Sequence, residues 1–223
     1  MRRGASPDRT GKTMPTTDQR KLRAQMTPLI PPGVTGHIDR VVTLAAALAE
    51  RHAFDVATTE RLLLAAQGHD LLRALEPADL LTRAADRGLE VDPVERAAPV
   101  LLHGPLAAEE LCADFDLCDP WVVHAVRWHT SGHPDFDDAA WVFFLADKVE
   151  PWKVEQWPAL QQVLDSAWES PAQAALRYLE LNIERGESRG WHQHPMALSA
   201  GRALIEAGTR QLSDRLLKQF WGV

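Results

Sequence analysis

Four histidines and two aspartates spread along the chain are the part of this sequence best suited to chemistry. They are His37, His69, Asp70, His103, His129 and Asp147. Imidazole nitrogens and carboxylate oxygens are ligands for divalent first-row metals such as iron, manganese, cobalt and zinc. Six such ligands are enough to hold two metal ions, and two ions can share a hydroxide and clamp a phosphate. The set therefore favours hydrolysis of a phosphate ester or anhydride.

The adjacent pair His69-Asp70 has the most definite role in this hypothesis. Neighbours on a helix point about 100° apart, so these two side chains can converge on one site only at a helix edge. There Asp70, with two oxygens, could bridge two ions while His69 binds one of them. We therefore predict that Asp70 and His69 are catalytic as well as ligands. A His-Asp pair alone is a weak motif, and its weight comes from the other four residues.

Helical periodicity runs through nearly the whole chain beyond residue 33. Apolar residues recur at spacings of three and four, and no segment shows the period-two alternation of a strand. Predicted helices cover about residues 35–51, 55–70, 77–87, 105–113, 119–129, 139–150, 157–166, 171–185 and 196–219. Pro105 is expected at the first position of the 105–113 helix. Pro151 is expected to stop the 139–150 helix. Ligands on separate helices meet in a bundle core, so the sequence predicts an all-α fold with a dinuclear metal site inside.

The net charge of −7 is unevenly distributed along the chain. Residues 1–26 carry seven Arg and Lys against two Asp, and they lack the apolar stretch of a signal peptide. We therefore expect residues 1–27 to form a flexible, disordered basic tail and residues 28–223 to form one domain. The acidic remainder argues against nucleic acid as a partner, and the lack of a long apolar run argues against a membrane span.

The chain has two cysteines, Cys112 and Cys118, six positions apart. This spacing is not typical of a zinc site, and one pair does not make a disulfide framework. We expect buried free thiols in a reducing cytoplasm, which is where we place the protein.

Tryptophans offer a possible stacking surface for bases. Four of them lie on or next to predicted helices: Trp121, Trp128, Trp141 and Trp152. Tryptophan at helical spacing is more often a core residue, and we expect these four to pack in the interior.

Five short segments together resemble a known family. They are HIDRV at 37–41, GHDLL at 68–72, HGPLA at 103–107, WHTSG at 128–132 and ADKVEP at 146–151. The set resembles the HD superfamily of metal-dependent phosphohydrolases, and more narrowly its YqeK-type branch, the symmetrical bis(5′-nucleosyl)-tetraphosphatases. The sequence departs from the family at Gly68, where a leucine is more common, and it lacks a clear Arg-Asn pair after His194-Pro195.

The resemblance implies an all-helical fold in which the six residues above hold two metal ions, with iron as the expected metal and manganese, cobalt or zinc as alternatives. It also implies that diadenosine tetraphosphate is cleaved symmetrically to two ADP by a hydroxide bridging the metals. Two other functions stay open. The chain could be an HD phosphohydrolase for guanosine tetraphosphate, a deoxynucleotide or a cyclic dinucleotide, or a nucleotide-binding HD protein without catalysis.

A polyanionic substrate needs local positive charge in an acidic protein. Lys148, next to one predicted ligand, and Arg40, one turn from another, are candidates to hold the outer phosphates, although both could form surface ion pairs instead. Thr130 and Gly132 could let the backbone approach a phosphate. His133, in a Gly/Pro loop, could line the pocket.

Overall fold

Helices make up the architecture throughout the described part of the chain. The computed structural model describes residues 17–208 and 220–221, and within them no strand is present. The helices are α1 (Thr17–Met26), α2 (Pro32–Arg51), α3 (Val56–Gly68), α4 (Pro77–Asp86), α5 (Pro93–Ala97), α6 (His103–Phe115), α7 (Pro120–Trp128), α8 (Asp138–Lys148), α9 (Pro151–Gln156), α10 (Gln161–Ala167), α11 (Pro171–Arg189) and α12 (Pro195–Glu206). The predicted all-α class is confirmed.

Local sequence signals explain where several of these helices start. Asp55 accepts a hydrogen bond from the backbone N–H of Thr58 at 2.7 Å and so caps α3. Asp119 and Asp137 cap α7 and α8 in the same way. These side chains satisfy N–H groups that have no partner inside the helix. Each cap lies where the sequence predicted a helix start.

The most buried helix is α8. Every residue from Ala139 to Asp147 is buried, and α2, α3, α10 and α11 pack around it. A helix that is apolar on all sides belongs in the centre of a protein, where neighbours cover each face. Because Asp147 ends this run, its carboxylate lies inside the bundle.

Helices α6 and α7 are consecutive and pack against each other. His103 begins α6 and His129 follows the end of α7, so the hairpin brings both residues to the same end of the pair. The end of α3 lies close by, because a Cβ built on Gly68 would come within 2.7 Å of Leu111 on α6. Leu111 thus occupies the space that a leucine at position 68 would need.

Part of the N-terminal tail expected over residues 1–27 is helical. Residues 17–26 form α1, which packs on α3 and buries Leu22 and Met26. The basic composition hid this apolar pair, which is spaced four residues apart and so lies on one helix face. The rest of the expected tail, residues 1–16, lies outside the described residues.

Three smaller expectations also need correction. Helix α6 begins at His103, so Pro105 is its third residue and not its first. Helix α8 ends at Lys148, three residues before Pro151, and Pro151 opens α9. Helix α12 ends at Glu206, and Gly208 then adopts φ +77°, a conformation that often terminates helices. The remainder of the predicted 196–219 helix falls on residues 209–219, outside the described part.

The expectation of buried free thiols is wrong. Cys112 and Cys118 form a disulfide, and Cys118 is exposed. The bond joins the C-terminal half of α6 to the segment before α7. The left-handed conformation of Asp116, with φ 57°, turns the chain back there.

Among the described helices, none is both long and apolar enough to cross a bilayer.

Candidate metal centre

The six predicted ligands come from five helices and meet at one place in the bundle. His37 lies on α2, His69 and Asp70 follow α3, His103 begins α6, His129 follows α7, and Asp147 lies near the end of α8. All except the partly exposed His37 are buried. Helix termini dominate the set, and a terminal residue can direct its side chain to a shared point without disturbing the helix.

Asp70 lies at the middle of the cluster. Its Oδ1 is 3.1 Å from His103 Nε2, 3.6 Å from His69 Nε2 and 3.8 Å from His129 Nε2. Its Oδ2 is 3.5 Å from His37 Nε2. The two oxygens of one carboxylate therefore face different histidines, which is the arrangement that a bridging ligand needs.

Asp147 supplies the second carboxylate. Its Oδ1 lies 3.0 Å from His37 Nε2 and 3.6 Å from His69 Nε2. In three overlapping triads the ligand atoms all lie within 4.8 Å of one another. They are His37-His69-Asp70, His69-His129-Asp147 and Asp70-His103-His129.

The histidine rings are oriented by partners outside the cluster. His69, His103 and His129 each place Nδ1 against the backbone carbonyl three residues earlier, at 2.9 Å for His69 and 2.7 Å for His129. A carbonyl only accepts, so each Nδ1 carries the proton and each Nε2 presents a lone pair to the centre. This orientation of a metal-binding imidazole is common in proteins.

The lone pairs on these Nε2 atoms have no donor facing them within the described residues, which indicates that cations fit the site. His103 Nε2 and His129 Nε2 are 3.0 Å apart, so two lone pairs face each other. His69 is fully buried, and its Nε2 has no hydrogen-bond partner among the described residues. Unpaired buried polar atoms of this kind are costly. A cation among these nitrogens and the two carboxylates would satisfy all of them.

Electrostatics favour the ligand form of most of these side chains. Burial would raise the pKa of Asp70, but the His69 and His103 rings outweigh it and hold that pKa well below its usual range. Burial likewise opposes ionisation of Asp147, and the Lys148 ammonium is the main group that keeps its pKa well below normal. For His129, burial itself, followed by the His103 ring, lowers the pKa, so that imidazole is neutral.

His69 behaves differently from His129. Burial lowers its pKa, but the carboxylates of Asp70 and Asp147 outweigh burial and raise it. The two carboxylates therefore attract positive charge to this nitrogen. Metal binding competes with protons for such ligands.

Glu150 contacts the cluster and was not among the predicted site residues. Its fully buried carboxylate accepts hydrogen bonds from His37 Nδ1 at 3.2 Å and from Arg40 Nε and Nη2 at 2.6 and 3.2 Å. Burial opposes ionisation, but the Arg40 hydrogen bond lowers the pKa of Glu150. Arg40 thus stabilises the carboxylate that orients His37. The sequence signal was the spacing of Glu150 three residues after Asp147 in ADKVEP.

The structure accordingly assigns Arg40 to an ion pair, which was the alternative to a phosphate contact. Lys148 contacts Asp147 Oδ2 and lines the cleft beside the ligands. Lys153, which sequence reasoning missed, lies 2.7 Å from Asp147 Oδ1 and donates to the Asp147 backbone carbonyl at 2.6 Å. Both lysines therefore line the cleft beside the ligand cluster.

A cleft of about 790 Å³ opens from the ligand cluster. Four of its wall residues are cationic: Arg73, Lys148, Lys153 and Arg185. Thr130, a predicted substrate contact, also lines it. The cleft therefore offers positive charge to an anionic ligand although the chain as a whole is acidic.

Gly132 and His133 are not among the described walls of this cleft. Gly132 adopts φ +76°, and a Cβ there would lie 3.0 Å from the Trp141 ring, so the glycine permits a tight turn against the core. The His133 ring lies 4.5 Å from the ring of His124 and 5.4 Å from that of Trp128. The structure does not bring these two residues to the ligand cluster.

The predicted tryptophan core is right only in part. Trp141 is buried, and Trp121 and Trp128 are partly buried against the core. Trp152 is 54% exposed and lines the cleft. It follows Pro151 at the start of the short helix α9, whose six residues include no buried side chain.

Comparison with known proteins agrees with this geometry. The HD domain family model matches residues 34–152, a stretch that contains all six clustered residues. A curated relative from Halalkalibacterium halodurans, a symmetrical bis(5′-nucleosyl)-tetraphosphatase, is 28% identical over 149 residues, covering 65% of this chain and 76% of the relative.

A solved structure shares the fold. The crystal structure of a predicted HD superfamily hydrolase from Clostridium acetobutylicum, described as involved in NAD metabolism, superposes with a TM-score of 0.76 at 20% identity. The alignment covers 84% of this chain and 97% of that one. Because the family model spans more than half of the sequence, this chain belongs to the HD domain family.

Proposed function

We propose that this protein hydrolyses dinucleoside polyphosphates symmetrically, cleaving diadenosine tetraphosphate to two ADP at a two-metal centre. One observation carries the proposal. Three buried imidazoles have Nδ1 held by backbone carbonyls, so their Nε2 lone pairs converge on Asp70 and Asp147. Neutral ligands and carboxylates in this arrangement are suited to two divalent cations.

The metal ligands in this proposal are the six clustered residues, with Asp70 as the bridge. Its Oδ1 faces His103 and its Oδ2 faces His37, so each oxygen would serve a different ion. We propose iron, with manganese, cobalt or zinc as the alternatives that nitrogen and oxygen ligands also accept. When bound, two such cations supply Lewis-acid charge and lower the pKa of water towards neutrality.

The chain's own cations complete the phosphate site. Lys148 and Lys153 lie against Asp147, and Arg73 lines the same cleft, so a polyphosphate leaving the ligand cluster would meet positive charge. Charge-assisted contacts of this kind orient phosphates and offset their charge. Thr130 adds a hydroxyl to the wall next to His129.

Symmetrical cleavage is supported by the name of the Halalkalibacterium halodurans relative. In this reaction one water adds across the central P–O–P bond of the tetraphosphate. Its oxygen joins one central phosphorus, the bridging oxygen leaves with the other, and each product carries two phosphates. In this proposal, Asp70 and His69 act in catalysis by holding the metal ions.

Product identity tests the proposal directly. Protein purified without oxygen is analysed for metals and then incubated with diadenosine tetraphosphate. We expect about two metal ions per chain and ADP as the product. ATP plus AMP would contradict symmetrical cleavage. Hydrolysis of guanosine tetraphosphate, a deoxynucleotide or a cyclic dinucleotide in preference would assign a different HD phosphohydrolase, and nucleotide affinity without metal would assign a non-catalytic binding protein.

Asp70→Ala is the matching variant. We expect it to lose bound metal and activity together, because it removes the carboxylate that contacts four histidines. Asp114→Ala, at an exposed position near the other end of α6, is the control and should keep both. Full activity in Asp70→Ala would show that the ligand assignment is wrong.

A further inference from the structure

The far end of the cleft combines two tryptophans with arginines. The Arg185 guanidinium carbon lies 4.3 Å from the centre of the Trp157 ring and 5.8 Å from that of Trp191. Arg189 lies 5.0 Å from the Trp191 ring. Trp157, Arg185 and Trp191 all line the cleft that begins at the ligand cluster. We propose that this group is a nucleobase-binding subsite in which a base of the substrate stacks on Trp191, an inference that rests on the proposed function.

Trp191 has free surface to offer. It is 51% exposed although it lies in the wall of a cleft, and its arginine neighbours leave half of the side chain uncovered. Exposed indole surface is unfavourable in water, and burying it against a flat ring is favourable. Every nucleobase has such a face, and stacking on aromatic residues is a general means of holding bases.

The loop that carries Trp191 is held in place before any ligand binds. The backbone N–H of Trp191 donates to the Gly186 carbonyl at 2.9 Å, and Gly190 adopts φ +69° in this turn. Asn182 Nδ2 donates to Gln193 Oε1 and Gln193 Nε2 donates to the Asn182 carbonyl, each at 3.2 Å. A rigid loop loses little entropy on binding, which is how preorganisation raises affinity.

Gly186 leaves room for the Gln193 side chain against α11. A Cβ built there would lie 2.2 Å from Gln193 Nε2 and 3.5 Å from the Trp191 carbonyl oxygen. The absence of a side chain at position 186 therefore lets the loop lie directly on α11.

Helix α11 runs between the two ends of the cleft, so its rise gives the distance between them. Tyr178, which lines the cleft, packs its ring 5.4 Å from that of Phe144, and Lys148 Nζ lies 5.1 Å from the same Phe144 ring. Tyr178 therefore marks the phosphate end and Arg185 the aromatic end. Seven residues of helix rise about 10 Å. That span is comparable to a nucleoside diphosphate, so a base can reach Trp191 while its phosphates lie beside Lys148.

The chemistry favours a base over a further phosphate at this end. Trp157 and Trp191 both line this end, and Arg185 lies over the Trp157 ring, so aromatic faces stand beside cationic charge here. Stacking of this kind is tolerant of base identity. We therefore expect adenine and guanine nucleotides to bind this subsite with similar affinity.

Binding of ADP and of inorganic triphosphate to the Mn²⁺-loaded protein tests the subsite. We expect Trp191→Leu to weaken ADP binding about tenfold, within the range that base stacking contributes, and to leave triphosphate binding unchanged. Trp191→Phe should recover most of the ADP affinity. Trp221→Leu, at a tryptophan that is 38% exposed and not among the cleft walls, is the matched control and should bind ADP normally. Calorimetric titration measures binding by the three variants and the unaltered protein without turnover.

Two results would overturn the subsite. ADP affinity could be the same in Trp191→Leu as in Trp221→Leu, or ADP and triphosphate could weaken equally, which would make Trp191 a scaffold residue. The outcomes also separate this proposal from the proposed function. Selective loss of ADP affinity in a protein that does not form two ADP supports the subsite alone. Formation of two ADP with an unchanged KM in Trp191→Leu supports the function alone.

Discussion

The two ends of the cleft are built on opposite principles. At the ligand cluster the side chains are buried, and rings such as His69 and His129 are oriented by carbonyls of their own helices. At the aromatic end, Trp191 is exposed and is positioned by a short loop and by arginines. The comparison teaches that buried helix ends can position side chains at one end of a cleft and a hydrogen-bonded surface loop can position them at the other.

Asp147→Asn should have the largest effect. It removes a charge that faces His37 and His69 and that Lys148 and Lys153 contact. We expect activity to fall by more than about 100-fold, the upper cost of losing a group that only supports a metal ligand. Metal content and kcat are the measurements. The surface variant Asp165→Asn serves as control, and activity near that of the control would show that Asp147 is not a ligand.

Glu150→Gln should have the next largest effect. The variant keeps the side-chain volume but weakens the contacts with His37 Nδ1 and Arg40. We expect metal affinity to fall about 10–100-fold while ADP still binds at the aromatic end. Competition with a chelator measures the affinity. Glu109→Gln, partly exposed on α6, is the control, and equal affinity in the two variants would exclude a supporting role for Glu150.

Gly186→Ala should act only on the aromatic end. The added Cβ displaces Gln193 and disturbs the loop of Trp191, so we expect ADP affinity to fall by a few-fold with metal content unchanged. Gly33→Ala is the control, because no described atom lies within 4 Å of a Cβ built there. A loss of metal in Gly186→Ala would contradict the independence of the two ends.

Reduction of the Cys112–Cys118 disulfide should have the smallest functional effect. The bond closes a short loop at the end of the α6–α7 hairpin away from His103 and His129. We expect unfolding free energy to fall by about 2 kcal/mol from the lost loop constraint, with metal affinity unchanged. Thermal unfolding and metal titration, each with and without a thiol reductant, measure this. A change in metal affinity would show that the hairpin transmits strain to the centre.

Local signals explain how far sequence reasoning reached. Helix caps such as Asp55 and Asp119 act on neighbouring N–H groups, so the helix starts they mark were predictable. The metal-ligand candidates were also recognisable, because His and Asp are metal-binding residue types and all six lie in segments that resemble HD-family motifs. Helix α1 was not predicted, because the basic composition of this segment obscured its buried apolar pair, Leu22 and Met26.

Residue types, local caps and motifs therefore determined the all-α class, the family and the six residues that cluster. The tertiary structure alone decided the contacts between distant parts of the chain: Arg40 with Glu150, Lys153 with Asp147, and Arg185 with Trp157 and Trp191. It also excluded Gly132 and His133 from the described cleft walls. The physical reason is that helix propensity and capping act within a few residues, whereas an ion pair or a stacked ring depends on how whole helices pack.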